Sequence, residues 1–228
     1  MIGFDTLMDA AERRLDGLPL ENLRVRAGGR AWDIAAVRDQ DRLLAAAGDW
    51  TPFPFGVLLW ESALVLGDVL PKAGLVRGGP VLELGAGTGL AGLVAAGQGA
   101  RVVQTDHSFE ALALCRRNAV ANGVTGLEQR LGDWSAWSDD TACDVVIGAD
   151  ILYEPALYGD ILRVLERVVR PGGVAVLTDP GRTHAGRFIY GLRAAGWTVG
   201  VERRMVAALP PCEVGAMVKI DVIEARRT

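Results

Sequence analysis

The chain has 228 residues, half of them hydrophobic and 23% charged, enough to bury one large core and too few for two full-sized domains. Its formal net charge of -4 leaves no global attraction to nucleic acid or to an anionic membrane, since both recruit clustered cations. The three cysteines, Cys115, Cys143 and Cys212, match no metal spacing and read as reduced thiols of a cytoplasmic protein, and no run reaches the ~20 apolar residues of a membrane span.

The opening MIGFDTLMDAAERRLDG mixes acids into every turn and lacks the apolar run of a signal peptide, so the chain reads as soluble and intracellular. Residues 21–37 predict two short strands turned at Gly28-Gly29, and residues 58–70 (LLWESALVLGDVL) predict an amphipathic helix. Beyond them a regular alternation begins. Strands are predicted over 81–84, 101–105, 144–148 and 173–178, with a further strand ending ahead of Asp133, and helices over 89–98, 109–122, 156–169 and 184–195. In the helix at 156–169, Leu157, Ile161, Leu162, Leu165, Val168 and Val169 form one apolar stripe, bracketed by Pro155 and Pro171. Segments 197–207 and 214–225 then face each other across Leu209-Pro210-Pro211, with no helix between them. The whole predicts a doubly wound, Rossmann-like α/β fold: a seven-stranded, mostly parallel sheet closed by a C-terminal antiparallel hairpin. Residues 1–50 are read as an N-terminal elaboration of short strands and helix, and residues 51–228 as the main domain.

The segment VLELGAGTGLAG puts Gly85, Gly87 and Gly89 at a strand-to-helix turn, where a missing Cβ lets the backbone approach a ligand. Gly87-x-Gly89-x-x-Gly92 also satisfies the dinucleotide fingerprint, so the glycines alone do not select a cofactor. Glu83 does, by charge. A carboxylate beside the turn repels a pyrophosphate and suits S-adenosylmethionine (SAM), which carries a sulfonium and an ammonium and has no phosphate. Asp106 ends the second strand about twenty residues on, where a carboxylate can accept both ribose hydroxyls of either nucleoside. Asp133-Trp134 adds an acceptor for an adenine amino group and an aromatic face for its ring; its structural alternative is a surface acid beside a packed tryptophan.

The segment GADILYEPALY places Asp150, Tyr153 and Glu154 beyond the strand at 144–148, where ligands of open α/β sheets bind and a methyl acceptor would sit. Methyl transfer is an in-line displacement at a carbon already activated by the sulfonium, so the protein needs chiefly to align a neutral nucleophile and exclude water. For a lysine acceptor, Asp150 would attract and orient the amine while Tyr153 walls its channel by cation–π contact. Both residues also have a plain reading, as a turn acid and a packing tyrosine. His107 and His184 are read as surface or capping residues. Arg182, in DPGR, either holds a substrate carboxylate or pairs with an acid.

Over roughly residues 53–196 these motifs resemble family 16 of the seven-β-strand methyltransferases, which includes protein-lysine methyltransferases acting on chaperones, on elongation factors and on the β subunit of electron transfer flavoprotein. The likeness rests on FPFGVLLWESALVLGDVL, ELGAGTGL, the TD ending at Asp106, NAVANGV, GDW and GADILY. It implies the class I SAM-dependent methyltransferase fold, with Trp60 at the methionyl end of the cofactor, Asp133-Trp134 as the acid-Trp pair, Ala149 on the cofactor side, and Asp150 and Tyr153 bordering a target-lysine channel. DPGR resembles the electron transfer flavoprotein branch. Two departures stand out: WES follows where many members place a proline after the tryptophan, and residues 1–50 match no family element.

The reading is therefore a SAM-dependent N-methyltransferase acting on a protein, with lysine as the preferred acceptor. The alternative is a small-molecule methyltransferase acting on nicotinamide or another amine. A non-catalytic SAM-binding module is disfavoured by the complete D-x-x-Y segment, and an NAD-dependent oxidoreductase by Glu83 and the lack of a hydride-transfer dyad.

Overall fold

Side chains alternate along β3 (Pro80–Leu84), sending Leu82 and Leu84 to one face of the sheet and Val81 and Glu83 to the other. β4 (Arg101–Asp106), β6 (Cys143–Ala149) and β7 (Val169–Asp179) are also largely buried, so both faces need a helical cover. On one face α6 (Tyr158–Val168) and α7 (Ala185–Ala194) bring Ile161, Leu165, Phe188 and Leu192 against Leu82, Leu84, Ala175 and Leu177. On the other, α3 (Glu61–Lys72) and α4 (Leu90–Gly97) bring Leu66, Leu70, Ala91 and Ala95 against Val81, Val145, Ile147 and Val176. The computed structural model describes residues 3–48, 50–51, 53–72 (of Lys72, the backbone), 76, 78–210, 212–213 and 215–228.

With β5 (Leu127–Leu131), β8 (Thr198–Ala207) and β9 (Met217–Arg226), the sheet order is β5-β4-β3-β6-β7-β9-β8. All pairs are parallel except those of β9, which runs antiparallel to both β7 and β8. This is the seven-stranded sheet with a closing hairpin expected from the sequence. The turn residue Pro211 and the expected strand start Val214 lie outside the described residues. β3 lies between β4 and β6, so the winding reverses there and a crevice opens beyond the carboxyl ends of β3 and β6.

Of the boundaries that differ from expectation, two have a clear local cause. The helix expected over 58–70 begins at Glu61, because Leu58 and Leu59 are buried, with Leu58 bridging to Val37 in extended backbone. Val169 leaves the preceding helix and pairs with Cys143 as the first residue of β7. Pro171 disfavours helical backbone at the residue before it, and the register shift between Cys143 and Val145 absorbs the extra residues, with Gly172 at φ 79°.

The first fifty residues hold more structure than their pattern advertised. β1 (Leu20–Ala27) and β2 (Arg30–Val37) form the expected hairpin, and two helices flank it, α1 (Phe4–Leu15) and α2 (Gln40–Ala47). α1 buries Met8, Ala11 and Leu15 on one stripe and packs on α5 (Phe109–Ala121). Asp39 caps α2 by accepting the Asp41 and Arg42 amides. Asn118 of α5 reaches β2, accepting the Ala35 N–H at 2.8 Å and donating to the Ala35 carbonyl at 3.1 Å. Trp32 and Ile34 share a core with Leu90, Leu93 and Val94.

Candidate active site

After β3 the backbone turns through Gly85, Gly87 and Gly89 at φ 62°, 55° and 78°, left-handed values that disfavour residues with a Cβ. Space forbids one as well: a Cβ at Gly85 would lie 2.8 Å from Ile151 Cγ2, and one at Gly89 2.9 Å from Cys115 Sγ. The turn is stitched to β4 by the Ala86 N–H donating to the Thr105 carbonyl and the Thr105 hydroxyl donating to the Glu83 carbonyl at 2.7 Å.

Glu83 sits beneath this turn. One carboxylate oxygen accepts the Gly92 N–H at 3.0 Å and the other accepts Gln104 Nε2 at 2.8 Å, while Gln104 also donates to the Gly89 carbonyl. Burial pushes its pKa up to about 7 against the pull of those two donors. The expectation from charge placed Glu83 against a cationic ligand; its carboxylate instead braces the underside of the loop and reaches the crevice only through its field. Asp106 ends β4 at the crevice mouth, with Oδ2 accepting the Gly87 N–H at 3.1 Å and Oδ1 accepting the Ser108 N–H at 3.0 Å. Burial raises its pKa, and His107, 3.4 Å from Oδ1, opposes the rise.

Facing this loop is a residue the sequence reading missed. The short turn Phe55–Val57 lies against Gly87 and Asp106 so closely that a Cβ at Gly56 would stand 3.5 Å from Gly87 Cα and 3.9 Å from Asp106 Oδ2. Its only local signal is a lone glycine behind two prolines.

Trp134 is 9% exposed and packs in the core with Leu84 and Ile151, its ring edge 3.4 Å from a Cβ built on Gly85. Asp133 is exposed; its Oδ1 accepts the Ser135 N–H at 2.8 Å and the Ser135 hydroxyl at 2.7 Å, bonds that lower its pKa. Trp60 is half-buried against the cluster of Val57, Leu58 and Leu112, and its carbonyl accepts the Ala63 N–H at the start of α3. Ala149 ends β6 opposite Thr178 of β7.

Asp150 follows at once, and among the described residues it is the one non-glycine with positive φ, at 59°. Its N–H donates to the Thr178 carbonyl at 2.8 Å. Its Oδ1 lies 2.6 Å from Arg182 Nη2, a close ion pair, and among the described residues it has no further hydrogen-bond partner. Arg182 also holds Asp179, through Nη1 at 2.8 Å and its backbone N–H at 2.7 Å. Of the two roles open to Arg182, the structure places it in acid pairing. Burial raises the Asp150 pKa, Arg182 lowers it, and Asp179 and Glu61 raise it. Glu61, in the unusual WES, accepts the Leu209 N–H at 2.8 Å and so ties the β8–β9 turn to α3.

Tyr153 is half exposed. Burial raises its pKa, and Asp106, Glu154 and Asp150 add to the rise, so its hydroxyl lies within the field of both sides of the crevice. The loop carrying it is pinned from behind: Tyr158 donates its hydroxyl to the Leu152 carbonyl at 3.0 Å and stands 2.6 Å from His184 Nδ1, which must then be the donor to it. Among the described residues no helix is long and apolar enough to cross a membrane.

A protein-family model described as lysine methyltransferase matches residues 39–189. The protein N-lysine methyltransferase METTL21A of Xenopus tropicalis is 32% identical over 136 residues, covering 58% of this chain and 63% of that protein. The protein-lysine N-methyltransferase EFM3 of Chaetomium thermophilum is 32% identical over 193 residues, covering 72% of this chain and 56% of that protein. The chain thus spans less than two thirds of the length of these curated relatives. Among solved structures, the precorrin-6y C5,15-methyltransferase of Geobacter metallireducens superposes with a TM-score of 0.59 at 18% identity, over 73% of this chain and 89% of that one, a likeness of fold.

Proposed function

The chain belongs to the lysine methyltransferase family, and from that premise we propose that it is an S-adenosylmethionine-dependent N-methyltransferase acting on a protein, with a lysine side chain as acceptor. The observation that carries the reading is the juxtaposition, at the switch point of the sheet, of the glycine turn and Asp106 with Asp150, a carboxylate held in left-handed backbone at the end of β6 and paired to Arg182.

The residues suit the cofactor. Gly85, Gly87 and Gly89 let the backbone turn tightly against Ile151, Gly56 and Cys115 at the end of β3, and Asp106 presents the carboxylate that ribose hydroxyls require. Asp133 is free to accept an adenine amino group from the rim. Trp134 would offer the purine a ring edge from the core rather than an open face, and Trp60 and Ala149 border the remaining length. Glu83 acts on the cofactor by holding the loop in shape. When bound, the sulfonium supplies a methyl carbon activated for displacement, so the remaining work is alignment and exclusion of water.

That work falls to Asp150 and Tyr153. A lysine amine has a reference pKa of ~10.4 and arrives mostly charged. The excess of acid around Asp150 attracts it, and the Tyr153 ring can flank it by cation–π contact. The amine must give its proton to solvent water before attack, and a second positive charge in the same recess would favour that loss. Residues 1–50 are assigned as an elaboration of the 51–228 domain. The buried free thiols Cys115 and Cys143 suit a reducing compartment such as the cytoplasm.

Incubation of the purified chain with tritiated SAM and a cell lysate tests the reading. Tritium is expected in the protein fraction, on lysine after hydrolysis, and is expected to fall in Asp106→Ala at SAM concentrations that do not saturate the variant. Label confined to small molecules would overturn the protein acceptor.

A further inference from the structure

Asp150 is held by a residue from a different loop, and the arrangement is more specific than a surface ion pair. Arg182 follows β7, Asp150 follows β6, and the two strands are neighbours in the sheet. Asp179, fully buried at the end of β7, takes both the Arg182 backbone N–H and Nη1, which fixes the guanidinium in place. The remaining arm, Nη2, then lies 2.6 Å from Asp150 Oδ1. A planar fork can bridge two carboxylates in this way, whereas a point charge cannot. Asp150 itself adopts a left-handed backbone at φ 59°, uncommon outside glycine but among those aspartate tolerates best, with its N–H tied to Thr178.

We propose that Arg182 is a positioning residue: bridged to Asp179, it keeps the Asp150 carboxylate ionised and oriented for the acceptor amine. This rests on the reading of Asp150 as the group that receives that amine. The charged and titratable groups facing Asp150 are Arg182 and Asp179 from β7 and its following loop, Glu61 from α3, and the Tyr153 hydroxyl on its own loop. Arg182 is the one cation among them. Without it, burial and the neighbouring acids would all act to protonate Asp150, and a neutral carboxyl would no longer attract an ammonium. With it, the two aspartates and one arginine keep a net negative charge, and Glu61 adds to it, so the recess remains attractive to a cation although Asp150 is already paired.

The test reads Asp150 directly and needs no acceptor. Carboxyl carbons of the full chain, labelled at aspartate with ¹³C, are titrated by NMR, and the Asp150 resonance is identified by its loss in Asp150→Asn. In Arg182→Gln the Asp150 midpoint is expected to rise by about one pH unit or more. In Arg182→Lys, which keeps the charge but cannot bridge both acids, a smaller rise is expected. An unchanged midpoint in Arg182→Gln overturns the proposal; should that variant not fold, an unchanged midpoint in Arg182→Lys does so. Calorimetry with SAM on the same samples separates the two readings. Affinity within about three-fold of the parent chain is expected in both variants. A parent chain that does not bind SAM would overturn the methyltransferase reading itself, whatever the Asp150 midpoint does.

Discussion

Replacing Gly92 with alanine sets two effects of opposite sign against each other, and the structure decides between them. Gly92 lies in the first turn of α4, where alanine should stabilise the helix by about 0.5–1 kcal/mol. Its Cβ, however, would fall on the Glu83 carboxylate, far inside van der Waals contact, and 2.6 Å from Gln104 Nε2. Long side chains usually swing aside at little cost. These two cannot, because Glu83 and Gln104 are 2% and 0% exposed and bonded to each other, to the Gly92 N–H and to the Gly89 carbonyl. Overpacking a tight core costs about 1–3 kcal/mol, and one lost hydrogen bond to a buried charge costs about 1.5–3 kcal/mol. The net expectation is a destabilisation of about 2–4 kcal/mol, or a fall in Tm of about 4–16 °C for a domain of this size. Urea unfolding followed by circular dichroism measures the free energy, and calorimetry gives Tm. A Gly92→Ala chain as stable as the parent would refute the view that the Glu83 network is rigid.

Asp106→Ala should weaken SAM binding by about ten-fold to over a hundred-fold, the loss of ~1.5–3 kcal/mol from a charge-assisted acceptor; unchanged affinity by calorimetry would reduce Asp106 to a brace for Gly87. Asp150→Asn should cut the rate of tritium transfer strongly while SAM affinity moves by less than about three-fold, and Tyr153→Phe should be milder because the ring face survives. Full activity in Asp150→Asn would make it a turn acid. Glu83 predicts a pH effect. Its pKa is raised from 4.5 to about 7 on folding, so its contribution to stability is fully present below the unfolded value and is lost as pH rises through about 7. Stability should therefore fall by up to about 3 kcal/mol between acidic and mildly alkaline buffer, and Glu83→Gln should flatten that slope in urea titrations at pH 5 and pH 8.

Local pattern was enough to order most of the molecule. Short β-rich apolar runs marked the parallel strands, the stripe of Ile161, Leu165 and Val168 marked α6, and GAGTG after VLEL located the crevice, because each of these signals is written within one turn or one strand. A helix was expected somewhere in residues 1–50, but the number and bounds of α1 and α2 escaped, since short amphipathic stripes such as Met8, Ala11 and Leu15 compete with many chance matches. The direction of Glu83 was within reach: it alternates with Leu82 and Leu84, so it had to face α4 rather than the end of the strand. What remained belongs to the tertiary structure alone. Gly56 meets Gly87 across some thirty residues of chain, Glu61 meets Leu209 across 148, and Arg182 meets Asp150 across two loops. Sequence proposed an acid for the amine and left the role of Arg182 open. Only the adjacency of β6 and β7 brings that arginine to it, because strand order is set by how the helices cover both faces of the sheet, and no local periodicity encodes which loops then become neighbours.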